Sequence, residues 1–395
     1  MDLEGILSSN TNSNIEVYFE EMHMKKELEL QLKKQRKFFE DILSGMKDWV
    51  RVIDRDNRVL FLNEPMKKQV GDTTGQQCFK ALNKKEPCEN CITNRAIFEG
   101  KSITKEEVVG DKIFSVVSSP IYDEENNIQY AVEVFRDITE KRAMEELILE
   151  QNTKMKRDLN FAKQLQHKIL PENRIYNNTL KIVSVYIPCE LLGGDVYDVI
   201  EINENYIGMY IADVSGHGVT SSMMTMFIRQ TLKSLEEKAI DPAVTLRYLY
   251  HRYRELHIDD QYYITVFYGV YDKKNKSFCY SNAGHNCMPI VLRKNYVEEV
   301  YMPGFPICTV FEDVQYENEV LTLHSGDRLL FYTDGIVEAV HPDKGFYQND
   351  RILELCTSYL KEDMEPLMEA IITDVQEFAQ GEIKDDIAIM MAQIL

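Results

Sequence analysis

Residues 206–225, YIGMYIADVSGHGVTSSMMT, decide how the second half of this chain folds. An apolar run typical of a buried strand ends at Asp213, and a turn with two glycines follows it. A helical stretch begins a few residues later. The segment therefore predicts a strand that carries a carboxylate to a sheet edge, where the glycines let a ligand approach the backbone.

Other acidic residues share this position between a strand and a turn. They are Asp195 after two glycines, Asp334 before a glycine, and Asp385 and Asp386 before the last strand. Asp beside Gly is also ordinary turn chemistry, which explains any one of these positions equally well. Taken together, the acids predict a site for a hard cation, and oxygen ligands without a Cys or His cluster favour Mg²⁺ or Mn²⁺ over Zn²⁺.

Composition and charge exclude several classes of protein. The formal net charge of −20 argues against a nucleic-acid surface, which needs clustered Lys and Arg. The sequence has no run of about 18 apolar residues to span a bilayer, and its acidic amino terminus lacks the apolar core of a signal peptide. We expect a cytoplasmic protein without nucleic-acid or membrane partners, and a chain of 395 residues predicts more than one domain.

The first part of the chain alternates helical and strand patterns. Residues 1–44 predict a helix, which fits either a short coiled coil or a solvated helix on its own domain. In residues 45–139, alternating apolar runs flank the polar turns DRDN and DEENN, so two hairpins are expected with a helical, cysteine-bearing stretch between them. This layout resembles a PAS sensor domain, whose ligand the sequence does not identify.

Residues 140–171 predict a helical linker that Pro171 ends. Its apolar residues follow heptad spacing, with Gln151 and Asp158 where apolar residues would be expected. This pattern fits a linker that changes state, and equally a rigid spacer. Heptad seams usually pack against a second copy, so we expect a homodimer.

Three cysteines, Cys78, Cys88 and Cys91, cluster within the PAS-like region. The C-x2-C pair suits a redox couple or a metal, although no fourth ligand is evident nearby. The alternative is that they are packing thiols in a reduced compartment.

Six segments in order carry a second resemblance: LLGGDVYDV, IADVSGHGVTSSMMT, ITVFYGV, YSNAGHNCMPIVL, GDRLLFYTDGIVEA and DDIAIMM. Together they closely resemble the SpoIIE/RsbU type of the metal-dependent PPM (PP2C-like) serine/threonine phosphatases. The resemblance implies an α+β fold over residues 172–395, an antiparallel β-sandwich flanked by helices, with two Mn²⁺ or Mg²⁺ ions at one edge. It implies metal ligands from Asp195, Asp213, the Val214 carbonyl, Asp334, and Asp385 or Asp386. Asp213 and Asp195 are the implied catalytic residues.

Three further side chains near these motifs need a role. We expect His217 to support a turn rather than act as an acid, because it lies four residues after Asp213, farther than in eukaryotic relatives. His285 either supports the metal edge or packs its loop, and Asp198 is expected to support the turn. GGD also occurs in nucleotide cyclases, but Val196 and Tyr197 replace the acid and aromatic residue of that signature.

These observations predict a PAS-regulated phosphatase that acts on a phosphorylated protein. By resemblance, the expected substrate is a STAS-type anti-anti-sigma regulator of a bacterial partner-switching pathway. The alternative is a signalling module that binds a phosphoprotein without hydrolysing it.

Overall fold

The computed structural model describes residues 3–258, 262–381 and 383–395, with residues 3–21 as backbone alone. The chain divides into two compact units, Met1–Asn152 and Thr153–Leu395. In the described ranges, no helix has both the length and the apolar character that a membrane crossing requires.

The first unit contains a five-stranded antiparallel sheet with the strand order β2-β1-β5-β4-β3. Its elements are α1 (Leu3–Gly45), β1 (Trp49–Asp54), β2 (Val59–Leu62), α2 (Glu64–Val70), a 3₁₀ turn (Lys80–Leu82), α3 (Ile92–Glu99), β3 (Ile103–Val109), β4 (Lys112–Tyr122) and β5 (Ile128–Asp137). The next helix, α4 (Thr139–Ile169), contains the boundary between the units.

Both predicted hairpins are present, and an aspartate closes each turn. The Asp54 Oδ1 atom accepts hydrogen bonds from the backbone N–H groups of Asp56 and Arg58, at 2.9 and 2.8 Å. Asp123 repeats this arrangement in the second turn. The strand β3 was not predicted, because its exposed charged residues hide the alternation that its hydrogen bonds to β4 reveal.

The second unit contains two larger antiparallel sheets. Its elements are β6 (Ile175–Tyr176), β7 (Leu180–Ile187), β8 (Asp195–Glu201), β9 (Tyr206–Val214), α5 (Val219–Lys233), a 3₁₀ turn (Glu236–Ile240), α6 (Pro242–Arg254), β10 (Ile264–Asp272), β11 (Ser277–Ala283), β12 (Ile290–Leu292), β13 (Val297–Glu299), β14 (Glu319–Thr322), β15 (Arg328–Tyr332), α7 (Asp334–Val337), β16 (Val340–His341), β17 (Gly345–Phe346), α8 (Asn349–Ser358), α9 (Met364–Phe378) and β18 (Ile387–Ile394). One sheet has the order β14-β11-β10-β9-β8, and the other has the order β13-β12-β15-β18-β7-β6.

The two sheets pack face to face with helices on their outer faces. A buried cluster that includes Met209, Phe267, Phe331 and Met390 fills the space between the sheets. A second cluster packs α5 and α6 against the sheet that contains β9, and a third packs α8 and α9 against the sheet that contains β18. The helices cover both outer faces, which explains why central strands such as β9 are buried on both sides.

One prediction for this unit is wrong. Asp198 lies within strand β8 rather than in a turn, and its side chain is 2% exposed. Its Oδ2 atom forms ion pairs with Arg229 Nε at 2.9 Å and Lys233 Nζ at 3.0 Å, both on α5. Asp198 therefore joins the helix to the sheet, because a buried carboxylate requires counter-charges.

Candidate metal centre

The first two predicted ligands lie on neighbouring strands. Asp195 at the start of β8 is directly opposite Asp213 near the end of β9, so their side chains project on the same face. Burial, and then repulsion from Asp213, raises the pKa of Asp195 well above its usual value. Burial, and then repulsion from Asp334, raises the pKa of Asp213 to about 7. Such shifts show that negative charges lie close together away from water.

The other sheet contributes the remaining acids. Asp334 follows β15, and Asp385 precedes β18; these strands are antiparallel neighbours, so both residues lie at one edge of the sheet. Burial, and then repulsion from Asp385, raises the pKa of Asp334 to about 6. Asp385 in turn contributes to the raised pKa of Asp213. The structure thus brings together carboxylates from four chain segments, at an edge that both sheets form.

Asp386 differs from the other acids because its side chain binds the backbone of a distant segment of the chain. It is 2% exposed, and its two carboxylate oxygens accept hydrogen bonds from Cys189 N at 2.8 Å and Gly194 N at 2.6 Å. These bonds hold the segment that leads into Asp195. Asp385 is the more exposed residue of the pair, and its acidic neighbours leave it the better placed to bind a cation.

Close packing, rather than unusual backbone angles, requires glycine at the turn. A Cβ atom on Gly193 would lie 2.1 Å from the Tyr186 hydroxyl, and one on Gly194 would lie 2.9 Å from the Val214 carbonyl oxygen. A Cβ atom on Gly335 would lie 2.0 Å from the Asp386 carbonyl oxygen. The glycines therefore let neighbouring segments pack closely at the acidic edge, and Gly193 does so against the other sheet.

This arrangement fits divalent cations such as Mg²⁺ or Mn²⁺. The Asp195 Oδ2 atom is buried without a hydrogen-bond partner, which is costly unless a cation or solvent binds it. The converging carboxylates repel one another, and they offer the oxygen ligands that Mg²⁺ and Mn²⁺ prefer. The thiol of Cys189 lies at the rim, within 4.8 Å of an oxygen of Asp385 and one of Asp386.

His285 and His217, the two histidines near the predicted site, differ in burial and in contacts. His285 is 1% exposed, and its ring contacts Thr265 Oγ1 at 3.2 Å and the Tyr332 carbonyl oxygen at 3.1 Å. Burial lowers the pKa of His285 to about 4, so the ring is neutral and joins β10 to β15. His217 is exposed, and its Nδ1 atom lies 2.9 Å from Glu190 Oε1.

One residue in the site has no counterpart among the predicted residues. Gln166, near the end of α4, is 3% exposed; its Nε2 atom donates to the Gly193 carbonyl oxygen at 2.7 Å. The Gly193 N–H donates to Gln166 Oε1 at 3.2 Å. Gln166 lies in the segment AKQLQHKILP, which resembles the helix that precedes phosphatase domains of the SpoIIE/RsbU type. Its amide, however, contacts a turn 27 residues away, so the local sequence does not reveal the contact.

The structure does not support a cysteine-dependent phosphatase mechanism in the second unit. Cys287 and Arg293 have the C-x5-R spacing of cysteine-dependent phosphatases. However, Cys287 is 3% exposed, and its burial raises the pKa of the thiol well above the usual value. Arg293 forms ion pairs with Asp327 and Glu298 at the other end of β12, where it is not available to bind a phosphate beside the thiol.

The predicted sensor cysteines lie in the first unit. Cys78 is buried, while Cys88 and Cys91 are half-buried in the segment before α3. Within the described ranges, no set of three ligand atoms within 4.8 Å of one another includes any of these thiols.

Family models match both units. The model for Stage II sporulation protein E (SpoIIE) matches residues 203–395, and the model for the PAS fold matches residues 43–143. The chain joins a PAS domain to a SpoIIE-family domain. Both resemblances noted in the sequence are therefore confirmed.

Curated relatives of the SpoIIE-family domain include two phosphoserine phosphatases of Bacillus subtilis (strain 168). RsbP is 28% identical over 235 residues, which cover 58% of this chain and 56% of RsbP. RsbU is 24% identical over 238 residues, which cover 60% of this chain and 70% of RsbU. The alignment thus spans little more than half the length of RsbP.

A solved structure supports the fold of this SpoIIE-family domain. The SiaA-PP2C domain of Pseudomonas aeruginosa matches with a TM-score of 0.55 at 20% identity, covering 62% of this chain and 98% of that domain. This likeness confirms the predicted antiparallel sandwich flanked by helices, while the match to the PAS fold over residues 43–143 supports the other part of the predicted α+β architecture.

Proposed function

We propose that the SpoIIE-family domain hydrolyses phosphoserine or phosphothreonine on a protein substrate. The observation that carries the proposal is the convergence of Asp195, Asp213, Asp334 and Asp385 from four chain segments at one edge of the sandwich. The two relatives named as phosphoserine phosphatases support the same chemistry.

We infer that the four aspartates, with the Val214 carbonyl, hold two Mn²⁺ or Mg²⁺ ions. When bound, such a pair supplies an activated water for in-line attack and neutralises charge on the phosphoryl group. Asp195 and Asp213 would hold the ions from one sheet, and Asp334 and Asp385 from the other. Asp386 is a positioning residue, because its carboxylate fixes the backbone before Asp195.

The substrate class follows from the family rather than from a contact in the structure. We propose a phosphorylated STAS-type regulator of a partner-switching pathway as the substrate, as the SpoIIE/RsbU resemblance implies. RsbP and RsbU, which are named as phosphoserine phosphatases, support phosphoserine as the group that is hydrolysed. The chain's net charge of −20 disfavours nucleic acid as a partner.

We propose that the PAS domain controls activity through α4, and that the chain is a homodimer. Along α4, the heptad residues Met144, Ile148, Met155 and Leu165 are each about half exposed, at 46–60%. An apolar stripe of this kind is stabilised when a second helix covers it. Gln166 connects the end of the same helix to Gly193 beside the acidic edge.

The direct test is Mn²⁺-dependent release of phosphate from a phosphoserine-containing STAS protein by the full-length chain. Asp213→Asn should reduce the rate at least about a hundredfold, because it removes a proposed metal ligand that lies among the acids of both sheets. Asp241→Asn is the matched control, since Asp241 caps α6 away from the acidic edge. Equal rates for wild type and the folded Asp213→Asn protein would contradict the proposal.

A further inference from the structure

The PAS domain contains a small cavity lined by all three of its clustered cysteines. Cys78, Cys88 and Cys91 border it together with the ionic side chains Arg51 and Glu133, among others. Its volume is about 20 Å³, which is room for about one water molecule. The cavity is thus too small for a haem or a flavin. A chemical signal that acts at this cavity is therefore a very small molecule or one that modifies the cysteines themselves.

Cys88 lies between two ammonium groups. Lys84 Nζ is 3.6 Å and Lys105 Nζ is 3.8 Å from the Cys88 sulfur, and both lysines donate toward it. Both also form ion pairs with Glu107, whose side chain is 10% exposed. Although burial alone would raise the pKa of Glu107, the two lysines lower it, so this carboxylate is ionised. Two ammonium groups and one carboxylate thus lie beside the Cys88 sulfur, and cations next to a cysteine promote its reaction with oxidants.

The other two thiols have different surroundings. The Cys91 S–H group donates to Asn57 Oδ1 at 3.9 Å. Burial raises the pKa of Cys78 to about 11, which leaves it unreactive at neutral pH. The two cysteines of the C-x2-C pair therefore differ in their contacts: Cys88 accepts hydrogen bonds from two ammonium groups, whereas Cys91 donates one to an amide oxygen.

We propose that Cys88 and Cys91 form an oxidant-sensing pair, in which Cys88 reacts with hydroperoxides and Cys91 completes a disulfide. The Cys88 thiolate attacks one peroxide oxygen; an S–O bond forms, the O–O bond breaks, and the released hydroxide takes a proton from solvent. The Cys91 sulfur then attacks Cys88; an S–S bond forms, the S–O bond breaks, and water leaves with the Cys91 thiol proton. Two thiols are oxidised, and one peroxide is reduced to two waters.

A hydrogen-bond network connects this pair to the strand that precedes α4. Cys91 is the residue before α3, and Thr93 in the first turn of α3 donates to Glu133 on β5. Glu133 is also paired with buried Arg51, whose NH1 group donates to the Cys78 carbonyl oxygen. A disulfide at Cys91 would move the start of α3 and so disturb the Thr93–Glu133 contact.

The test uses the full-length, pre-reduced chain and hydrogen peroxide at a few molar equivalents, followed by thiol alkylation, trypsin and mass spectrometry. Residues 86–95, EPCENCITNR, form one tryptic peptide that contains both cysteines and no other. We expect this peptide to lose two hydrogens and escape alkylation, and dithiothreitol to restore both thiols. In Cys91→Ser, a dimedone adduct should accumulate on Cys88; in Cys88→Ser, Cys91 should stay alkylatable. This readout does not depend on phosphatase activity.

Charge variants test why Cys88 reacts. Lys84→Met with Lys105→Met should slow oxidation about tenfold, and Glu107→Gln, which keeps both lysines, should accelerate it. Lys101→Met, an exposed lysine without a contact to Cys88, is the matched control and should leave the rate unchanged. If neither folded charge variant changes the rate, or if peroxide leaves both cysteines of the peptide alkylatable, the proposal is wrong.

Discussion

The contrast between Asp385 and Asp386 is the sharpest test of how the acidic edge is built. The two residues are adjacent and chemically identical, yet only Asp386 accepts hydrogen bonds from the backbone N–H groups of Cys189 and Gly194. In Asp386→Asn, one side-chain oxygen remains as an acceptor, and the new NH₂ group faces a backbone N–H. The variant loses a charge-assisted hydrogen bond worth about 1.5–3 kcal/mol and leaves a buried donor unpaired.

The expected size of the effect follows from these contacts. Either substitution removes one negative charge from the cluster, so the relief of repulsion acts in both variants. The difference between them isolates the hydrogen bonds, and we expect Asp386→Asn to be less stable than Asp385→Asn by about 2–4 kcal/mol. For a domain of this size, that corresponds to a difference of roughly 4–16 °C in melting temperature.

Calorimetry of the full-length chain in EDTA measures the stability difference, and Mn²⁺ titration measures binding. Asp385→Asn should fold normally and lose Mn²⁺ affinity at least about tenfold, because it removes a proposed ligand. Equal melting temperatures for the two metal-free variants would show that the Asp386 contacts do not stabilise the turn. Undiminished Mn²⁺ affinity in Asp385→Asn would refute its assignment as a ligand.

Three further predictions concern pH, the linker helix and the PAS core. Burial and neighbouring carboxylates raise the pKa of Asp213 to about 7 and that of Asp334 to about 6, so the metal-free domain should lose stability as pH rises from about 4 to about 7. Mn²⁺ should therefore raise the melting temperature more at neutral than at acidic pH. A larger rise at acidic pH would contradict this prediction. Gln166→Ala should raise the Mn²⁺ concentration for half-maximal activity several-fold, since it frees the GGD turn; an unchanged value would exclude a role for this contact. Glu133→Gln should lower the free energy of unfolding of the PAS domain by about 3 kcal/mol, because it leaves Arg51 buried without a counter-charge. Denaturant unfolding, followed by the fluorescence of the chain's single tryptophan, measures this change. A decrease below about 1 kcal/mol would argue against a stabilising role for the Arg51–Glu133 pair.

Local patterns predicted most of the fold. The hairpin around residues 54–58 and the helix α4 depend on turn residues and periodicity that lie within a short window. The positions of Asp195, Asp213 and Asp334 were predictable for the same reason, because each one lies at or next to the end of a strand, near a glycine. Their convergence required the order of strands in both sheets, which the family resemblance supplied and local pattern did not.

The side chains that the sequence did not explain make distant contacts. Asp198 is held by Arg229 and Lys233, about 30 residues farther along the chain, so its buried ion pairs left no local signal. Asp386 contacts backbone groups more than 190 residues before it, and neighbouring residues carry no information about that distance. Polar residues whose partners are far apart in sequence are thus the ones whose contacts local reasoning does not predict.

The segment before Asp195 is held from two directions, and this explains how a helix could influence the acidic edge. Gln166 binds both backbone polar groups of Gly193, while Asp386 binds the N–H of the next residue, Gly194. Glycines tolerate many backbone conformations, so without these contacts the turn would leave the Asp195 carboxylate poorly fixed. Asp386 belongs to the sandwich itself, whereas Gln166 belongs to the final turns of α4. A shift of α4 along or around its axis would therefore change one support of the turn and leave the other in place, which would alter the position of Asp195, a proposed metal ligand, without unfolding the domain.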